Sequence, residues 1–430
     1  MKELQVGPER LLNVRFRLGH EYLLAQSPSL VQVLLEIRPN VRTRQPTQPV
    51  DVRLVIDVSS SMGDPGDDRG DSKLTLVKRG VLELLEELGS RDRVLVSVFS
   101  TQGRLLVPST RLNERGAREK IEAAIAGLLP QETTNISAGL ELALRDSPTL
   151  ALTRVFLFTD GESSDSLTDH AALVELADRA RCLDFPLFIY GTGSSYNWPL
   201  LQLLAIRAGG GSFCKHVLGV EELTSHMLSE LACLRGTAVD HLTVTGVVAD
   251  GAKITSVHST LPVIRKLDID HGKRFQDHTG ALDILRAAIL LAEVEVACPT
   301  VGTQEVLTLT ISGRRLSTCE PFQVSLPPVV VTFVEDGNTP SPVDEEVHRV
   351  MLMVAGAKKA DTGDFAGAED FYRRAGDHTT ADSMATMHGR SMADGADKEA
   401  LRRAGSSLTG ESVSMSSMGV PGDLTRRRKR

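Results

Sequence analysis

VRLVIDVSSSM, residues 52–62, decides the fold. Residues 52–57 run almost wholly apolar and stop at an aspartate that opens straight into three serines. A short apolar run of this kind is the trace of a strand buried on both faces, and such strands belong to parallel sheets covered by helices. The segments that follow keep the same rhythm. KLTLVKRGVLELLEELG (73–89) has helical periodicity and closes at Gly89, and RVLVSVF (93–99) is a second buried strand. A short edge strand is expected near 103–107, with helices near 114–127 and 137–145. Strand 154–159 (RVFLFT), helix 171–182, strand 187–191, a helix from Pro199, strand 212–216 and helix 220–235 complete the series. Buried strands alternating with amphipathic helices predict a doubly wound, mostly parallel α/β sheet over 49–236.

On either side the pattern changes. From residue 237 the period falls to two, in HLTVTGVV, AKITSVHS, PVIRKLDI, ILLAEVEVAC, EVLTLTIS and PFQVSLPPVVVTFV, which predicts an antiparallel β-sandwich over 237–335. Two strands at 11–18 and 29–38 are too few to be stable alone. Residues 1–48 are therefore expected to join the sandwich, which makes the α/β domain an insertion. A helical hairpin is expected over 343–378, and its single repeat is too short to stack into a solenoid. Residues 379–430, rich in Ser, Met, Gly and Ala and ending in RRRKR, read as a low-complexity, largely disordered tail.

The 430 residues exceed one ordinary core, which agrees with several domains. A formal net charge of -8 gives no general pull toward nucleic acid or membrane. No apolar stretch is long enough for a signal peptide or a membrane span. The five cysteines are odd in number and widely spaced, with no CxxC pair, so neither a zinc site nor a disulfide framework is indicated. A cytoplasmic location is the expectation.

Polar residues gather where the strands end. Asp57, Ser59, Ser60 and Ser61 follow the first strand of the α/β region, Thr159-Asp160-Gly161 follows its fourth, and residues 132–136 (ETTNI) lead into a helix. In a doubly wound sheet the loops at the carboxyl ends of adjacent strands converge on one crevice. Two carboxylates and several hydroxyls, with neither His nor Cys, are hard oxygen donors suited to Mg²⁺, which prefers octahedral geometry at about 2.0–2.1 Å and keeps some waters. Two carboxylates do not encage the ion, so a coordination position is left for an outside carboxylate. Taken singly, Ser or Asp before a helix is an ordinary N-cap; three such loops together are not.

DVSSSM (57–62), TTNISAGL (133–140) and FTDGE (158–162) together resemble the metal-ion-dependent adhesion site of von Willebrand factor type A domains. DRVLVSVFS (92–100) and YGTGSSYNWPLLQLLAIRAGGGSF (190–213) extend the likeness over residues 50–236. The resemblance implies Ser59, Ser61 and Thr134 as hydroxyl ligands of Mg²⁺ (or Mn²⁺), with Asp57 and Asp160 binding directly or through water. It further implies that Asp57 ties its loop by accepting from backbone N–H groups. Ser60 stands where the family often has Gly.

Other signals are weaker. Asp64, Asp67, Asp68 and Asp71 form an acidic loop that offers oxygens for a second ion, Ca²⁺, yet it lacks the spacing and closing Glu of an EF-hand and reads first as a solvated turn. Arg69-Gly70-Asp71 matches an adhesion tripeptide, read as coincidence. Cys214, His216 and His226 read as structural, and Asp268-Ile269-Asp270 lies in the sandwich, away from any parallel strand end. The basic cluster Arg426–Arg430 is a solvated tail able to touch an acidic partner.

With no phosphate loop, HExxH or GxSxG in the chain, the leading expectation is a non-enzymatic adaptor whose Mg²⁺ grips an acidic residue of a protein partner. An accessory subunit docking the catalytic partner of an ATPase or protease machine is the alternative. An Mg²⁺-dependent phosphoester hydrolase with Asp57 as nucleophile is a third, disfavoured because no Lys or Arg lies in the three loops to meet a phosphate.

Overall fold

The structure is a computed structural model that describes residues 2–7, 10–25, 28–40, 49–66, 70–131, 133–145, 151–160, 167–192, 198–209, 211–217, 219–260, 264–284, 286–335 and 341–392. The chain divides into two compact units, residues 46–236 and residues 1–45 with 237–430. Before the first of these come four strands of the second unit: β1 (Lys2–Val6), β2 (Leu12–Leu18), β3 (Tyr22–Leu24) and β4 (Ser29–Pro39).

The α/β unit holds β5 (Val50–Asp57), α1 (Lys73–Glu87), β6 (Arg93–Phe99), β7 (Gly103–Arg111), α2 (Ala117–Ala126) and α3 (Ile136–Ala143). It continues through β8 (Leu152–Thr159), α4 (Leu167–Leu183), β9 (Leu187–Thr192), α5 (Trp198–Ala208), β10 (Phe213–Val217) and α6 (Val220–Arg235). The strand order is β10-β9-β8-β5-β6-β7, parallel except for β7, which runs antiparallel along β6. Every residue of β5 and of β8 is buried, as a strand covered on both faces requires. Val55, Leu95, Leu157 and Ile189 share one core cluster with α3, α4 and α5. The chain runs from β5 outward to β6 and β7, then returns to lay β8 on the opposite side of β5. The sheet therefore reverses its winding between β5 and β8, where crevices for ligands open in such folds.

One side chain in the apolar run is not apolar. Arg53, fully buried, donates from Nε to Asp51 Oδ2 at 2.9 Å and from Nη1 to the Ala143 carbonyl at 2.5 Å, and its guanidinium lies 4.4 Å from the Phe185 ring centroid. A buried charge is tolerated when it is paired in this way.

The second unit continues with β11 (Thr237–Val248), β12 (Ala252–Ser259), β13 (Arg265–Lys266), β14 (Ile269–Asp270), β15 (Arg274–Asp283), β16 (Ala288–Val296), β17 (Gly302–Arg315), β18 (Pro321–Ser325) and β19 (Val329–Val334). The helices α7 (Glu345–Asp361), α8 (Phe365–Arg374) and α9 (His378–Ser391) follow. One sheet has the order β1-β2-β4-β16-β12-β13 and the other β14-β15-β11-β17-β19-β3, with β18 on β17. A single apolar cluster draws from both sheets, joining Val33, Leu35, Leu290 and Val294 to Val244, Leu309 and Val331. The N-terminal segment enters both sheets, β4 pairing with β16 and β3 with β19.

Several details depart from the sequence reading, among them the added strands β1 and β3. The β3–β19 pair is parallel within a unit expected to be antiparallel. PVIRKLDI is not one strand: among its described residues it gives β13 in one sheet and β14 in the other. β15 was not anticipated at all. The tail expected without order from 379 forms α9 as far as Ser391, packed on α8 through buried Ala381 and Met384; residues 393–430, with the basic cluster, lie outside the described residues.

Candidate functional site

β5 ends at Asp57, and the next residue still follows the sheet, Val58 N–H donating to Phe99 O at 2.9 Å. The chain then turns through a short 3₁₀ segment, Ser60–Gly63, anchored by the fully buried Met62. This throws Ser59 and Ser61 back over the strand end and leaves Ser60 exposed, so a side chain where the family often has Gly meets solvent. Asp57 Oδ1 accepts from Ser59 N–H at 2.8 Å, the loop-tying bond implied by the resemblance.

From there a chain of hydrogen bonds runs across the switch point. The Ser59 and Ser61 hydroxyls lie 3.1 Å apart, and Ser61 Oγ donates to Asp160 Oδ1 at 2.9 Å. Thr159, the last residue of β8, donates its hydroxyl to Asp57 Oδ2 at 2.7 Å. Lys73, the first residue of α1, donates Nζ to Asp160 Oδ2 at 2.9 Å. The structure thus brings together Asp57, Ser59, Ser61 and Asp160, and adds Thr159 and Lys73, which the sequence reading did not assign. The three loops hold no Lys or Arg, and the cation arrives from the helix, twelve residues beyond Ser61.

Thr134 is placed differently. Its loop is pinned to the site by Gln131, whose N–H donates to Val58 O at 2.6 Å and whose side chain accepts from Ser100 Oγ at 3.0 Å. Asn135 then caps α3, accepting from Ala138 N–H at 3.2 Å. Helix α3 lies close on β6: a Cβ on Gly139 would sit 2.4 Å from Phe99 Cδ1, so only glycine permits the approach. Thr134 is half-buried, and among the described residues no hydrogen bond joins its hydroxyl to the cluster. Glu132 and residues 161–162 lie outside the described residues.

Burial pushes the Asp57 carboxyl up to about 6, against the hydrogen bonds from Ser59 and Thr159 that favour its charged form, and the nearby Asp160 charge adds to the rise. A carboxylate withdrawn from water and facing a second carboxylate is stabilised by a cation between them. The ligand atoms gathered here are carboxylate and hydroxyl oxygens, which fit a hard divalent ion; the Lys73 ammonium has no lone pair and is not a ligand.

The acidic loop offers less. Asp71 Oδ2 accepts from Arg79 Nη2 at 2.8 Å, and the Asp64 backbone carbonyl accepts from Lys73 N–H at 3.0 Å. Asp67 and Asp68, the other half of the proposed Ca²⁺ set, and Arg69 lie outside the described residues. His226 is buried with Nδ1 2.9 Å from the Tyr190 hydroxyl, beside the Phe213 ring, and Cys214 and His216 are buried as well. All five cysteines are free. Among the described residues no helix is long and apolar enough to cross a membrane.

Comparison with known proteins finds likeness in the same stretch of chain. Residues 52–162 match the family model of the von Willebrand factor type A domain. YfbK of Escherichia coli is 27% identical over 164 residues, 37% of this chain and 27% of that protein. Inter-alpha-trypsin inhibitor heavy chain H4 of Homo sapiens is 27% identical over 177 residues, 38% of this chain and 18% of its own. The chain therefore spans about a quarter or less of the length of these curated relatives. A solved structure titled von Willebrand factor type A from Catenulispora acidiphila superposes with a TM-score of 0.69 over 92% of this chain and 96% of its own, at 16% identity, a likeness of fold alone. The matched stretch carries β5 with its serine loop, the Thr134 loop and β8 with Asp160, so this part of the chain is similar to the von Willebrand factor type A domain.

Proposed function

We propose that this domain is a divalent-ion-dependent protein-binding module, and that the chain acts as a non-enzymatic adaptor. Asp57, Ser59, Ser61 and Asp160 hold Mg²⁺ or Mn²⁺, and Thr134 joins the shell when a ligand engages. The ion's remaining position is filled by an acidic side chain of a protein partner. The observation that carries this reading is the hydrogen-bonded run of Asp57, Ser59, Ser61 and Asp160 across the switch point of the sheet. Four hard donors from two separate loops meet there, where ligands bind in folds of this class. The two-sheet unit, taken as a β-sandwich, and helices α7–α9 form the scaffold. A cytoplasmic setting suits five free cysteines.

The test is capture of partners from a lysate with the full chain, in Mg²⁺ and in EDTA, compared band by band. A specific partner should be retained in Mg²⁺ or Mn²⁺ and released by EDTA, and Thr134→Ala should weaken its retention more than it weakens ion binding. Changing the contacting carboxylate of that partner to its amide should cost on the order of 2–5 kcal/mol, the scale for one member of a buried charged pair. A partner held equally well in EDTA would show that recognition uses another surface.

A further inference from the structure

Lys73 is built into the ion centre with little freedom to do otherwise. Its backbone N–H is tied to the Asp64 carbonyl at 3.0 Å, and Ser72 before it caps α1 by accepting from Thr75 N–H at 3.2 Å. The root of the side chain is therefore fixed. The side chain is 13% exposed and that of Asp160 only 2%, with Nζ and Oδ2 at 2.9 Å. The other Asp160 oxygen takes the Ser61 hydroxyl. Both oxygens of this carboxylate are thus engaged by the protein itself, one of them by a full positive charge.

A divalent ion that uses Asp160 meets an ammonium already on that carboxylate. The two cations repel each other, and little water lies between to screen them. We propose that Lys73 is a tethered stand-in for the ion: it holds Asp160 while the centre has no ion, must swing off for the ion to settle, and so sets the centre's ion affinity. This rests on the metal reading above. The formal charges show what the device achieves. Asp57, Asp160 and Lys73 total -1 without an ion and +1 with a divalent one, so the centre turns from repelling to attracting an anion when it loads. By reciprocity an acidic ligand then tightens the ion, and the Lys73 swing links the two events. A centre with the two carboxylates alone would hold the ion more firmly and would be neutral once loaded, with no such preference.

The experiment is a Mn²⁺ titration of the full chain followed by electron paramagnetic resonance, with wild type, Lys73→Met, Lys73→Arg and Asp160→Ala side by side. Lys73→Met keeps the stem and removes the charge. It should bind Mn²⁺ at least about tenfold tighter than wild type, the scale of one charge-assisted hydrogen bond that no longer has to break. Lys73→Arg should stay near wild type, and Asp160→Ala should lose binding at this centre. Should Lys73→Met fail to fold by circular dichroism, Lys73→Gln makes the same comparison. Equal or weaker binding in the neutral variant, with wild-type binding still dependent on Asp160, would overturn the role of Lys73 and leave the metal centre standing. No Mn²⁺ binding by any variant would overturn the metal reading and this inference with it.

Discussion

Each unit buries a carboxylate, and the two are satisfied in opposite ways. In the α/β unit, Asp160 sits just past the end of β8, held by a serine hydroxyl and a lysine on a flexible stem. In the two-sheet unit, Asp277 sits in the middle of β15, accepting from Ser259 Oγ at 2.8 Å, Thr279 Oγ1 at 3.1 Å and Arg265 Nη2 at 2.5 Å. A guanidinium is a rigid fork, whereas an ammonium is a point charge on a movable chain. Asp277 is also held by a backbone ladder, since it lies opposite Val244 of β11. Burial is common to both carboxylates and so does not mark a site. Position at a strand end, with partners that can let go, separates a place where a ligand enters from one that is closed.

That contrast can be broken by mutation, and the largest effect belongs to the closed network. Asp277→Ala removes the acceptor of three donors and should destabilise the two-sheet unit by roughly 3–5 kcal/mol in urea unfolding. Mn²⁺ affinity should be untouched; a loss below about 1 kcal/mol would mean the network does little. The open site should behave in reverse. Asp57 is raised by burial from 3.8 to about 6, so in the folded protein its ionised form is disfavoured and costs stability above that range. Asp57→Asn should therefore stabilise the α/β unit in EDTA at pH 8, by up to roughly 3 kcal/mol, while abolishing Mn²⁺ binding. The gain should fade as the pH falls through 6 and vanish below about 4, where Asp57 is protonated in both states. A destabilised Asp57→Asn at pH 8 would refute this account.

The smallest effect tests another buried group of the two-sheet unit. Burial, then the charge of Lys358, lowers His258 from 6.5 to about 4, against the opposing pull of Glu293, with Lys266 adding to the drop. A folded value below the unfolded one means stability is lost as the pH falls below 6.5, by roughly 1 kcal/mol at pH 5.5. His258→Gln should flatten that slope in thermal melts between pH 7 and 5. An unchanged slope would place the proton elsewhere.

The same contrast explains what the sequence let us read. β5 and β8 were legible because each carries an unbroken apolar run, residues 54–56 and 155–158, and Asp57 and Asp160 stood out because each comes where such a run gives way to a loop. β15 was not, because three of its buried positions carry Asp277, Thr279 and Asp283, which hide the apolar alternation. Arg53 was invisible for the converse reason: six residues of hydrophobic pattern absorbed it. α9 turns its buried side toward α8 with Ala381, Met384 and Met387, small or unbranched residues that give a weak periodic signal. Lys73 could not be assigned by spacing, since a lysine opening a helix is commonplace and only the folded loop reveals its reach. The proline pair 327–328 was visible, yet the run around it was read as one strand rather than as β18 and β19.

The pairing of β4 with β16 has a consequence in time. Ile37 lies opposite Ala288, about 250 residues later in the chain. At a synthesis rate of roughly 5–20 residues per second, the first strands wait on the order of 10–50 s for their partner to be made. All six strands of the α/β sheet emerge within that interval and can assemble first. Closing so long a loop is slow in any case, because the entropy of bringing its ends together must be lost before the contacts form. A prefolded α/β unit takes most of the intervening residues out of the flexible loop, so the order of synthesis lowers the entropy still to be lost when β4 meets β16.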